Sequence, residues 1–230
     1  SGGNVNQARS DLFGFVGTQT ASLIAGGYKQ PASEYVDLTE LYDGTSWTEV
    51  NNLNVEKSSG VFMGSQTSAL YAGGDTGSNV DTNESWNGSN WTEVGDLNQA
   101  KKNLAAAAAN NTAGLVFGGD PNTANTESWN GSAWTEVANL NTARNNLAGA
   151  GIQTAALAFG GSEPPESAKT EDWNGVSWVE VADLSTARQE IGGGGNNTAG
   201  LATSGYANPA DTASTEEWSQ GTTVKTVDTD

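Results

Sequence analysis

The chain contains neither cysteine nor histidine. Disulfides, Cys/His zinc sites, haem ligation and His-dependent nucleophilic triads are therefore excluded. Carboxylates, amides, hydroxyls and aromatic rings remain. Asp11, Ser59, Asn103, Asn146 and Glu190 stand out by spacing, because each lies two residues after a recurring basic residue: Arg9, Lys57, Lys101, Arg144 and Arg188. Side chains at one position of a repeat gather at one place in the fold. These five would make a polar ring that binds a sugar, a cation or ordered water, or that holds water with no ligand. Asp11 and Glu190 are its carboxylates. At about 5 Å apart they would have the geometry of a retaining glycosidase, and at about 6.5–9.5 Å that of an inverting one. A second candidate set is Tyr28, Tyr35 and Tyr206, which lie in segments of variable length and text. Such rings stack on a sugar, anchor a protein partner or cover a neighbouring element. No metal or cofactor is expected: Asp75 and Asp81 lack the alternating ligands and following glycine of a calcium loop.

The elements that must position these residues are repeats. The stretch Glu127-Ser128-Trp129-Asn130-Gly131-Ser132-Ala133-Trp134-Thr135-Glu136-Val137 recurs from Glu84 and Glu171, and more loosely from Glu40 and Glu216. Its first aromatic falls at Tyr42, Trp86, Trp129, Trp173 and Trp218, in steps of 44, 43, 44 and 45 residues. A fixed period in this range marks a repeat architecture. Each copy opens on Asn-x-Ala-Arg or a variant and continues into a small-residue strand: Leu12 to Val16, Gly60 to Met63, Leu104 to Ala109, Leu147 to Ile152 and Ile191 to Gly195. A Gln-Thr or Asn-Thr turn follows. The second strand ends in a glycine pair such as Gly160-Gly161, degraded to Ser204-Gly205 in the last copy. A variable loop, a third strand ending on the first aromatic, a tight Asn-Gly type of turn and a fourth strand complete the unit. Four short strands per period, punctuated by glycine, are a propeller blade. The expected fold is all-β: one five-bladed β-propeller domain over residues 1–230, four antiparallel strands per blade, with blades near 4–51, 52–95, 96–138, 139–182 and 183–230. In a closed ring blades one and five would be neighbours, bringing Asp11 near Glu190. Closure would rest on packing between those blades, or the chain is part of a longer protein.

All eight Trp fall on two frame positions, with Tyr42 and Thr223 the two departures. Large aromatics at fixed positions are expected as blade-to-blade core rather than sugar platforms, because each buries a large apolar area. A two- or four-residue turn puts both aromatics of a blade on one face. The Asn-Gly turn suits a hairpin because both residues tolerate positive φ. Glu40, Glu84, Glu127, Glu171 and Glu216 share one position, as the five basic residues share another, so one internal ion pair per blade is expected to fix register. The small first strands (Gly60, Ala105, Ala106, Gly149, Gly151, Gly192, Gly194) suit a crowded axis.

The formal charge is −18. That argues against nucleic acid, whose binding needs basic surface. No apolar run approaches the ~18 residues of a membrane span, so no membrane insertion is expected. No signal peptide opens the chain, and Ser1-Gly2-Gly3 reads as a cloning remnant. Asn-x-Ser/Thr at Asn87, Asn90, Asn110, Asn130 and Asn196 comes from turn chemistry, and no glycosylation is read from it.

Arg144, Gly160-Gly161, Trp173 and Trp178 together resemble a kelch repeat, which carries a basic residue before strand one, Gly-Gly after strand two, then a Tyr and a Trp. The resemblance covers nearly the whole chain and departs in its first aromatic, mostly Trp, in its short blades and in its five-blade count. The Trp-Asn-Gly-Ser-x-Trp wording also looks like repeats of bacterial and phage surface or tail proteins. The resemblance implies a monomeric, non-catalytic module that binds a protein or surface ligand through loops on one face, outside the cell or on a virion. The alternatives are a lectin-like sugar binder, a glycosidase or a repeat scaffold with no ligand. Five-bladed glycosidases of the arabinanase kind use three acidic residues, and only Asp11 and Glu190 are candidates here. Galactose oxidase, also kelch-like, needs copper held by His and Tyr and a Tyr-Cys crosslink, which this chain cannot supply.

Overall fold

The computed structural model describes residues 2–12, 14–220 and 222–226. Blade one is β1 (Val16–Thr18), β2 (Ala21–Ala25), β5 (Thr39–Tyr42) and β6 (Trp47–Glu49), with a small hairpin of β3 (Tyr28–Lys29) and β4 (Glu34–Tyr35) between its second and third strands. Blade two is β7 (Val61–Ser65), β8 (Ser68–Asp75), β9 (Asn79–Trp86) and β10 (Trp91–Val94). Blade three is β11 (Ala105–Asn110), β12 (Ala113–Phe117), β13 (Thr126–Trp129) and β14 (Trp134–Glu136), and blade four is β15 (Ala148–Ile152), β16 (Ala155–Phe159), β17 (Thr170–Trp173) and β18 (Trp178–Glu180). Blade five is β19 (Gly192–Asn196), β20 (Ala199–Thr203), β23 (Thr215–Ser219) and β24 (Thr222–Thr226), with β21 (Tyr206–Ala207) and β22 (Ala210–Asp211) as its small hairpin. Five four-stranded antiparallel sheets, with no helix among the described residues, make the protein a five-bladed β-propeller. Two departures from expectation are local. The first strand of blade one starts at Val16 rather than Leu12, after Gly14 at φ +104°. The last strand was expected over Thr223 to Val227; β24 spans Thr222–Thr226, and Val227 lies outside the described residues, as does Gly221 of the preceding turn.

Contacts divide the chain into two compact units: Ser1–Lys102 with Asn110–Thr112 and Trp129–Trp134, and Asn103–Ala109 with Ala113–Ser128 and Thr135–Asp230. The core of the first packs Val16, Leu23 and Ala25 of blade one against Phe62, Ala69, Tyr71, Trp86 and Trp91 of blade two. In the second unit, one cluster packs Leu115 and Phe117 against Ala156, Ala158, Trp173 and Trp178, and another packs Leu157 and Phe159 against Ala202 and Trp218. In blade four, Ala156, Ala158 and Trp173 thus form one face of the sheet and Leu157 and Phe159 the other. Where first strands meet, there is no room for a side chain: a Cβ on Gly149 would stand 2.4 Å from the Ala106 carbonyl oxygen.

Seven of the eight Trp are buried and Trp47 is half-buried. Each buries about 150–250 Å², roughly 4–6 kcal/mol of apolar transfer before entropy is counted. The hairpin turn has four residues, so Trp86 stands opposite Trp91 and Trp173 opposite Trp178, with ring centroids 5.3 and 5.4 Å apart. The turn works differently from the sequence expectation. Only the glycines take positive φ (Gly88 +93°, Gly131 +94°, Gly175 +92°). The Asn serves through its side chain: Asn87 Oδ1 accepts the N–H groups of Ser89 and Asn90, both at 2.9 Å.

Candidate binding site

The five ring candidates share one backbone state. Asp11, Ser59, Asn103, Asn146 and Glu190 all lie in the left-handed region, at φ of 57°, 58°, 54°, 51° and 57°. Each precedes a first strand, and three main-chain bonds join counterparts in neighbouring blades. In the first unit Ser59 N–H donates to the Asp11 carbonyl at 3.0 Å. In the second, Asn146 N–H donates to Asn103 at 2.9 Å and Glu190 N–H to Asn146 at 2.8 Å. Asn and Asp are favoured in this conformation because a short polar side chain offsets its steric cost. The Asp and Asn at three of the five positions therefore have a backbone cause. Asp11 and Glu190 are exposed, Asn103 and Asn146 half-buried and Ser59 buried. Ser59 Oγ lies 3.2 Å from Ser58 Oγ, and Asn146 Nδ2 donates to Gln189 Oε1 at 3.5 Å.

The shared Glu and basic positions form a buried clamp. Arg9 meets Glu40 at 2.5 Å, Arg144 meets Glu171 at 3.0 Å, Arg188 meets Glu216 at 3.0 Å and Lys57 meets Glu84 at 3.8 Å, all with side chains at most 1% exposed. Lys101 and Glu127 occupy the same positions in blade three and are buried as well. The Asn that opens the motif completes the clamp, a role the sequence reading missed. Asn141 sends both its backbone N–H (2.7 Å) and its Nδ2 (2.8 Å) to Glu171 Oε2, leaving Oε1 for Arg144, and Asn6 and Asn54 treat Glu40 and Glu84 in the same way. The fixed three-residue step from Asn to the cation was the available signal. Arg144 also donates to the Gly160, Lys169 and Ala158 carbonyls. Burial pulls the Lys57 ammonium down to about 8, against the opposing pull of Glu84.

The main chain of the same residues stitches blades together. Gly27 N–H donates to the Lys57 carbonyl at 2.9 Å, and Gly74, Gly119 and Gly161 do the same to Lys101, Arg144 and Arg188. The glycine pair is required there: Gly26 and Gly27 sit at φ +70° and +116°, and a Cβ on Gly26 would stand 2.4 Å from that carbonyl. These charges, amides and glycines are spent on the scaffold.

The variable loops differ from one another. Blade one carries β3–β4, blade five β21–β22, blade two extends β8 and β9 into one long hairpin, blade four carries a loop closed by the Ser162–Glu166 bridge and blade three a shorter loop. Tyr28 and Tyr35 pair across the first hairpin, edge to face at 5.1 Å, and both are half-buried. The Tyr35 hydroxyl shares a hydrogen bond with Asp75 of blade two, which pairs with Lys102 at 2.7 Å. Burial would raise the Asp75 carboxyl, but its bonds from Lys102, Gly77 and Tyr35 outweigh this and hold it below the usual range. Tyr206 is half-buried, and its main chain bonds Gln189 in both directions. On blade five, Ala199, Gly200, Leu201, Glu217, Trp218 and Ser219 line an open concavity of about 450 Å³.

Among the described residues no group of three or more acidic side chains could hold a metal ion, and no helix is long and apolar enough to cross a membrane. No protein-family model matches the chain, and no curated protein matches it.

Proposed function

We propose that this propeller is a non-catalytic, kelch-like recognition module that binds a protein or surface ligand through its strand-two-to-three loops, as part of a bacterial or virion surface. What supports the reading is the division of labour between frame and loops. Frame residues are committed to clamps, stitches and core, while the loops vary in length and carry exposed residues such as Gln30 to Ser33. Variable loops on a rigid scaffold are where repeat proteins bind. The left-handed backbone favours the short polar type of Asp11, and the Ser59 and Glu190 N–H groups are spent on main-chain bonds between blades, which supports reading the ring as scaffold rather than as an acid–base pair.

A second reading, a lectin-like sugar binder, draws on the blade-five concavity. The exposed Glu217 carboxylate, the Ser219 hydroxyl and the exposed Leu201 side chain have the chemistry to bond a sugar's hydroxyls and cover its apolar face. One array experiment separates these readings. The protein is screened on glycans and on surface proteins beside four variants: the 28–35 hairpin replaced by the short turn of blade three, Tyr206→Ala, Glu217→Gln and Glu190→Gln. Protein binding lost with the hairpin or Tyr206 supports the main reading. Glycan binding lost with Glu217→Gln favours the lectin. Binding lost only with Glu190→Gln would overturn both.

A further inference from the structure

We propose that the three Asn-Gly hairpin turns, at Asn87-Gly88, Asn130-Gly131 and Asn174-Gly175, are sites of non-enzymatic deamidation, and that the same turn in blade one already displays the product in Asp43-Gly44. All four turns sit between strands three and four of their blades, with Asn87, Asn130, Asn174 and Asp43 exposed.

The reaction needs a backbone nitrogen able to attack the Asn side chain, and the turn offers one. Among the described residues no hydrogen bond engages the N–H of Gly88, Gly131 or Gly175. The next residue is Gly, so no Cβ hinders approach. The electrophile is held by two donors. Asn87 Oδ1 accepts from Ser89 and Asn90 N–H at 2.9 Å, Asn174 Oδ1 from Val176 and Ser177 N–H at 2.9 Å, and Asn130 Oδ1 from Ser132 and Ala133 N–H at 3.0 Å. Paired N–H donors aimed at a carbonyl oxygen stabilise the oxyanion that forms when the carbonyl is attacked.

The balance is simple. The Gly amide nitrogen gives its proton to hydroxide and bonds to Asn Cγ. Nδ2 takes a proton from water and leaves as ammonia, forming a five-membered imide. Water then opens either imide bond to a carboxylate, in the α or the isoaspartyl linkage. Net, the amide plus water becomes a carboxylic acid plus ammonia, with no oxidant or reductant.

Blade one shows that the turn accommodates the α product. Asp43 Oδ1 accepts from Thr45 and Ser46 N–H at 2.8 Å and from Thr45 Oγ1 at 2.6 Å. Those bonds pull its carboxyl down to about 2, so the cradle favours the anion. Each conversion adds one negative charge to an already acidic chain.

The test is intact mass and peptide mapping of the folded protein during incubation in mildly alkaline buffer, beside the Asp43→Asn variant and a short Trp-Asn-Gly-Ser peptide. The expected result is a gain of about 1 Da per site at Asn87, Asn130 and Asn174, with a fourth site at position 43 in the variant. Asn90, Asn110 and Asn196, equally exposed but not followed by Gly, stay unchanged. Folded turns that stay intact while the peptide converts, or conversion spread over the other Asn residues, would overturn the proposal.

Discussion

Position 190 puts a residue in a backbone state that its type does not favour. Glu190 holds φ 57°, a conformation that costs an ordinary L-residue about 1–2 kcal/mol and that Asn adopts readily. Glu190→Asn is therefore expected to raise stability by about 0.5–1 kcal/mol, read as a higher midpoint in urea. A lower midpoint would mean that the carboxylate makes a contact of its own. Lys57 is the complementary case, a charge burial would rather neutralise. Its folded pKa, about 8, lies below the ordinary 10.5 of a lysine side chain. Between those values the unfolded chain binds more protons than the folded one, so stability rises with pH across that window. Lys57→Arg keeps its charge there. The stability of the parent relative to this variant should therefore climb from pH 8 to 10.5, and a flat difference would place Lys57 in a more polar setting than its clamp.

At the scale of the element, the second Trp of a blade reaches back to the blade before. Trp91 Nε1 donates to Thr39 Oγ1 at 2.9 Å and Trp178 Nε1 to Thr126 Oγ1 at 3.1 Å. Blade two carries Asn83 at that Thr position, and there Asn83 Oδ1 and Trp134 Nε1 are both buried without a partner among the described residues. Asn83→Thr is expected to restore the pair. A buried unsatisfied donor and acceptor cost about 1–3 kcal/mol; after loss of the Asn83 Nδ2 bond to the Gly95 carbonyl, a net gain of about 1 kcal/mol should raise Tm by roughly 2–4 °C. A fall in Tm would show that the Gly95 bond is the stronger feature. The sequence announced the Trp positions but not this Thr, because one departure in five hides the pattern and because Thr before Glu is common strand text. The Asn-Gly turn was read from φ, whereas its Asn acts by hydrogen bonds that propensity does not reveal.

At the scale of the whole molecule, the fold was legible because a period of about 44 residues with fixed Trp, Gly-Gly and Glu positions admits few architectures. The candidate site was less legible, because the left-handed backbone state shared by the five recurring positions is not announced by their residue types. What varies between repeats carries no periodic signal, so Tyr28 and Tyr35 gave no hint of their mutual edge-to-face contact or of the Tyr35–Asp75–Lys102 link. The acidic charge fits the edges: Glu49, Glu93, Glu136 and Glu180 stand exposed on fourth strands, where charge discourages edge-to-edge pairing. Thermal unfolding of Arg144→Met tests most directly whether the repeated charged residues are scaffold. Removing the cation leaves Glu171 buried beside Asn141 alone and strips donors from the Gly160, Lys169 and Ala158 carbonyls. A loss of about 3–5 kcal/mol is expected, a fall in Tm on the order of 10 °C. An unchanged Tm would contradict the account and return these residues to the list of candidates for binding.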